Sequence, residues 1–212
     1  VEPSLHEARL KAESEGPESR DRTTRKVYLG RESSATAMGL VVYFQAILLL
    51  LFTGFWTARM LDSIKELEPG PELTARQISI LHEGSALLAG TAALFLMGAG
   101  LRFLTDWGRW VSATLMAETV LGSMVTLLTL ALLGASHLQP IAYLVLIAGV
   151  SVPLWTLYVT LSEPAEVVFS TAYRELIGRT RGVRRPVSWV AVLLFLLEVT
   201  ALGYLGWKLY GA

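Results

Sequence analysis

Two glutamates stand where a carboxylate is costly. Glu118 interrupts the apolar run in "WGRWVSATLMAETVLGSMVTLL", and Glu198 interrupts "WVAVLLFLLEVTALGYLGW". Acids inside membrane helices are the residue type that proton and ion relays use. The same residue type, hydrogen-bonded to a neighbour, fixes the register of packed helices. Gln45, inside "GLVVYFQAILLLLF", is a third polar side chain of this kind, and its amide offers a carboxyl group both donors and an acceptor.

Other chemistry is thinly represented. The chain has no cysteine, which excludes disulfides, thiolate metal sites and thiol catalysis. It has no G-x-S-x-G, H-E-x-x-H, P-loop or dinucleotide-binding glycine pattern. His6 lies in a charged N-terminal stretch. His82 and His137 flank apolar runs on one side, where adjacent helices would bring them together as possible ligands for haem or a metal. Two ligands alone do not define a zinc site. Glu66, Glu68 and Glu72 read as a solvated turn. The expectation is therefore no catalytic residue, no metal, no cofactor and no enzyme.

The elements that must position the acids are membrane helices. The chain is 53% hydrophobic and only 17% charged, where a soluble domain carries about a quarter charged residues. The charges crowd into a few segments. Five runs between them, at 36–58, 84–101, 111–134, 139–162 and 189–207, are long enough at about 1.5 Å per residue to cross a hydrocarbon core of about 30 Å. The expected fold is all-α: an integral-membrane bundle of five transmembrane helices in one domain, 35–212. Tryptophans fall mostly near the ends of these runs, as interfacial aromatics do.

Lysine and arginine set the orientation. Segments on one side carry seven, two and five of them, and segments on the other carry three, none and one. The positive-inside rule then places the N-terminus in the cytoplasm and the C-terminus outside. The zero net charge argues against nucleic acid as a partner.

Three of the segments outside the spans carry further signals. Residues 1–34 hold 14 charges and cannot bury enough apolar surface to fold alone; a partner protein is the simplest agent to order them. Residues 59–83 read as an outer helical hairpin broken at Pro69-Gly70-Pro71. Residues 164–178 read as a cytoplasmic amphipathic helix. Its apolar stripe is Ala165, Val168, Phe169, Ala172, Tyr173, Leu176 and Ile177, Pro164 sits in the first turn and Gly178 is the C′ residue. Arg179, Arg181, Arg184 and Arg185 follow it as contacts to anionic lipid. The alternative for this helix is packing on a partner or on the protein's own loops.

"GAGLRFLTDWGRW" (98–110) resembles the tight hairpin of small bacterial multi-pass membrane proteins, with Gly-Leu-Arg, a short gap and Trp-x-Arg. "VFSTAYRELIGRT" (168–180) is similar to a juxtamembrane segment in the same proteins. The resemblance implies a bacterial inner-membrane topology and carries no catalytic residue over.

Depth counting then relates the polar residues. Glu118 lies roughly 12 Å past Trp110, Glu198 roughly 15 Å past Ser188, and Gln45 roughly 11 Å past Met38, on three helices of one direction. They are expected to form one polar layer inside the bundle. The favoured function is a non-catalytic accessory or scaffold subunit of a larger bacterial membrane complex, with the lipid bilayer and other subunits as partners. A small proton-coupled transporter or channel using Glu118 and Glu198, and a membrane anchor for haem, quinone or pigment, are the alternatives.

Overall fold

The structure, a computed structural model, describes residues 17–65, 69–132, 140–180 and 182–210. Among them it is all-helical. The helices are α1 (Pro17–Ile64), α2 (Pro71–Arg102), α3 (Asp106–Leu132), α4 (Pro140–Leu161), α5 (Glu163–Val168), α6 (Thr171–Arg179) and α7 (Trp189–Tyr210). By length and composition, α1 and α2 could each cross a membrane; Val150–Leu161 and Trp189–Thr200 are shorter apolar helices.

α1 is a single helix of 48 residues, about 72 Å long. It begins at Pro17 and so takes in half of the charged N-terminal segment. Residues 17–34 are helical, and Arg25, Glu32 and Ser33 within them bond to other parts of the chain, whereas 1–16 lie outside the described residues. A long helix can carry some of these charges to partners elsewhere in the fold.

α1 ends at Ile64 and α2 starts on Pro71, so Pro69-Gly70-Pro71 separates them; a proline is accommodated at the start of a helix because its missing N–H has no partner there anyway. The two helices pack along most of their length and run antiparallel. Gly39 meets Gly98 and Arg102, Leu49 meets Gly90, and Trp56 meets Gly84. At the first of these crossings a Cβ on Gly39 would lie 2.8 Å from the Arg102 backbone nitrogen and 2.9 Å from the Gly98 carbonyl oxygen. Only glycine lets the backbones approach this closely.

The turn from α2 to α3 is tighter still. A Cβ on Gly100 would stand 2.3 Å from the Gly108 Cα, and one on Gly108 would stand 2.2 Å from the Gly100 Cα. Thr105 closes the turn, its N–H donating to the Gly100 carbonyl at 3.0 Å. Leu104 adopts a left-handed conformation, φ 54°, which costs a non-glycine residue about 1–2 kcal/mol. Complete burial of its side chain offsets that cost.

α3 packs on α2 and α4, α4 packs on α7, and α1 touches α4, α5, α6 and α7 besides α2. The buried core gathers at one end of this bundle. It consists of Ala35, Met38, Val41 and Val42 of α1, Met97 and Leu101 of α2, Leu104 of the turn, Met116 of α3, Val152 and Val159 of α4, Ala191 of α7, and residues of α5 and α6. This is the end where the arginines are concentrated, called here the basic end.

The segment 164–178 departs from the expected single surface helix. Ser170 interrupts it, its hydroxyl accepting from the Tyr173 N–H at 3.1 Å and capping α6. Pro164 does lie in the first turn of α5. Gly178 is inside α6 rather than beyond it, and Thr180 is the C-cap. Ala165, Val168, Phe169 and Tyr173 are buried in the core, and Leu176 and Ile177 pack against it. Apart from Ala172, which is exposed, the apolar stripe therefore faces the protein. Periodicity identified the stripe, but it could not say whether lipid or α1 would cover it.

The glycine contacts predict a measurable asymmetry. Gly108→Ala should lower stability in detergent by about 1–3 kcal/mol, the usual cost of overpacking. Gly54→Ala, where no atom lies within 4 Å of the new methyl group, should cost nothing. Thermal unfolding of both variants in the same micelles checks this.

Candidate functional site

The three polar residues of the expected layer separate into a pair and an outlier. Gln45 of α1 donates its side-chain amide to a Glu198 carboxyl oxygen of α7. Phe44 and Phe195, ring centroids 4.9 Å apart and edge to face, pack beside the pair. Glu198 is buried, and its second oxygen has no partner; the buried Trp155 Nε1 of α4 has none either. Glu118 does not join them. It is exposed on α3, which packs on α2 and α4 rather than against the α1–α7 pair. The expected three-residue layer is corrected on this point. Counting residues along a helix fixes height but not direction around the axis, and α3 turns Glu118 outward.

A second polar site, absent from the sequence reading, lies at the basic end. Glu32 of α1 is fully buried. Arg25, two turns earlier, grips it with two bonds, Nε to Oε2 at 3.1 Å and Nη2 to Oε1 at 2.9 Å. The Tyr173 hydroxyl of α6 donates to Oε2 at 3.0 Å, and Arg185 Nε donates to Oε1 at 2.5 Å. The carboxylate thus accepts four bonds from three segments. The remaining Arg25 nitrogen donates to the Thr180 carbonyl at 2.5 Å, at the C-cap of α6, where a cation is favoured. Nearby, the Ser33 hydroxyl donates to the Pro186 carbonyl, and Tyr28 meets Tyr173 edge-on at 5.9 Å.

Burial would raise the Glu32 carboxyl, but the bonds from Arg25, Arg185 and Tyr173 outweigh it and hold it below the ordinary value of 4.5. Burial first, and then the Glu32 charge, push the Tyr173 hydroxyl upward, so it stays a donor. The site is a clamp. The Glu32 carboxylate is saturated by its three partners, while Arg185 stays partly exposed. In sequence it shows only as Arg and Glu seven apart in a charged stretch, plus an arginine assigned to lipid.

Of the four arginines assigned to anionic lipid, Arg185 belongs to this clamp. Arg179 is exposed and lies 3.5 Å from Glu175 and 3.9 Å from Asp21. Arg184 is exposed, and Arg181 lies outside the described residues. Elsewhere at the basic end, Arg109 donates to the Thr160 carbonyl near the end of α4 at 2.9 Å, and Arg31 stacks 4.5 Å above the Tyr158 ring. His82 is exposed on α2, and His137 lies outside the described residues. Among the described residues, no three of His, Asp and Glu gather as a metal-binding group.

The architecture defined by these observations is an all-helical bundle with two helices able to span a membrane, closed at its basic end by a buried ionic clamp. Compared with protein-family models, curated proteins and solved structures, the chain matches none.

Two measurements test the clamp. Glu32→Ala leaves Arg25 buried without its counter-charge and should destabilise by about 3–5 kcal/mol, with hydrogen-exchange protection lost first in 17–35 and 171–188. The pH dependence has a definite sign. Because the folded-state value is lowered, the unfolded chain binds the proton more tightly, and stability rises with pH between the two values. The Glu32 contribution is complete above the ordinary value of 4.5 and disappears as pH falls through the folded one. Denaturant titrations of wild type and Glu32→Gln should converge toward the acid end of the series.

Proposed function

We propose that this chain is a five-span membrane protein, N-terminus cytoplasmic, that serves as a non-catalytic accessory or scaffold subunit of a larger membrane complex in a bacterial inner membrane. The membrane reading draws on the length and apolarity of α1 and α2, the apolar runs of α3, α4 and α7, and the bias of lysine and arginine to alternate connections. Large apolar side chains also stand outward on every long helix, among them Leu51, Leu88, Leu121, Leu154 and Leu193. Water does not tolerate so continuous an apolar surface, whereas lipid or protein does.

The observation that carries the accessory role is Glu118. Within the five runs the residues of Asp, Glu, His, Lys or Arg type are Glu118 and Glu198 alone. Glu198 has Gln45 and burial. Glu118 faces outward at a depth of roughly 12 Å, with no hydrogen bond or ion pair to the described residues. An acid against lipid at such depth costs on the order of 2.5–3.5 kcal/mol. A neighbouring subunit over this face removes that cost. A relay through Glu118 and Glu198 finds less support, since the two acids point to different surroundings.

Gentle detergent extraction followed by size-exclusion chromatography is the test. The chain should migrate with an assembly much larger than its own 23.2 kDa plus detergent. A monodisperse species of its own mass overturns the role.

A further inference from the structure

The outward face of α3 has a composition and spacing that specify its occupant. Thr114, Glu118, Leu121, Val125 and Leu128 are all exposed, the last three at 62%, 63% and 61%. Their separations alternate four, three, four and three. This is the seam along which a second helix packs at a shallow left-handed crossing. Gly122, beside the seam, has nothing within 4 Å of where its Cβ would stand among the described residues.

The polar groups around Glu118 separate it from an ordinary lipid-facing stripe. The Thr119 hydroxyl donates to the Leu115 carbonyl at 2.8 Å, Ser123 to the Thr119 carbonyl at 2.8 Å, and Thr129 to the Val125 carbonyl at 2.9 Å. These hydroxyls are satisfied by their own helix and can face hydrocarbon. Glu118 has no such partner, and among the described residues nothing bonds its carboxyl oxygens.

We infer that this face docks a transmembrane helix of a different polypeptide, one that carries a lysine or arginine at the level of Glu118, roughly 12 Å from the cytoplasmic end. The inference rests on the accessory-subunit reading and names the chemistry of the subunit it requires. Charge complementarity selects the occupant. A second copy of this chain offers no cation, because no lysine or arginine lies within any of its five runs. It would set acid against acid across a two-fold axis. A helix bearing a basic residue would meet Glu118 with charge-assisted bonds in a medium that screens them little, and Leu121, Val125 and Leu128 would supply the packing.

The test uses the full chain in phosphatidylcholine vesicles, with a fluorescent single-span leucine–alanine peptide as probe. One peptide carries a lysine about 12 Å from its end; its counterpart has leucine there. Energy transfer should report association with the lysine peptide roughly tenfold tighter than with the leucine peptide. Glu118→Ala should abolish that preference, while Leu196→Ala on the outward face of α7 should preserve it. Equal binding of the two peptides to wild type, or a preference that survives Glu118→Ala, overturns the inference. So does transfer between two labelled copies of the chain that Glu118→Ala removes, since the occupant is then a second copy. Size-exclusion of the native extract separates this from the broader reading. If the Glu118→Ala chain still migrates with the large assembly, the accessory role stands and this contact falls. If wild type migrates alone, the accessory role itself falls.

Discussion

The buried carboxylate of Glu32 is the constraint on which the basic end depends. A charge with no solvent access is tolerable only when every lone pair is matched, and Arg25, Tyr173 and Arg185 do that from three segments. The consequence is geometric. Arg25 and Glu32 sit on α1, Tyr173 on α6, and Arg185 on the stretch leading into α7, so satisfying one carboxylate fixes three parts of the fold together. Arg25 extends the arrangement to the Thr180 carbonyl, tying the C-terminal end of α6 to α1 as well.

The apolar core forms around that clamp. Phe169, Val168 and Ala165 enter it from the two short helices and close the bundle where α2, α4 and α7 converge on α1. Close backbone approaches reinforce the same end, Gly39 against Gly98 and Gly100 against Gly108. Toward the other end the long helices keep large apolar side chains outward, Leu50, Leu51, Phe52 and Phe55 on α1 among them. Tight packing and polar bonding thus concentrate at one end, with apolar surface toward the other.

The helices were largely legible in the sequence, because apolar runs, proline breakers and arginine clusters report on local structure. α1 ending at Ile64 and α2 beginning at Pro71 follow from Pro69-Gly70-Pro71 directly. The site was legible only in part. Residue counts expect Gln45 and Glu198 at one level, their helices are neighbours, and the pair forms. Residue counts expect Glu118 at the same level, but its helix packs elsewhere. The clamp was not legible, since Arg25, Glu32 and Arg185 look like solvated or lipid-facing charges until α6 is set against α1.

By itself the sequence determined the all-helical class and the break at Pro69-Gly70-Pro71, because both follow from local chemistry. Tertiary structure alone decided directions around those axes: Glu198 inward to Gln45, Glu118 outward, the 165–177 stripe onto the protein core. Those directions depend on which helices are neighbours, a long-range property that no local pattern of residue types encodes.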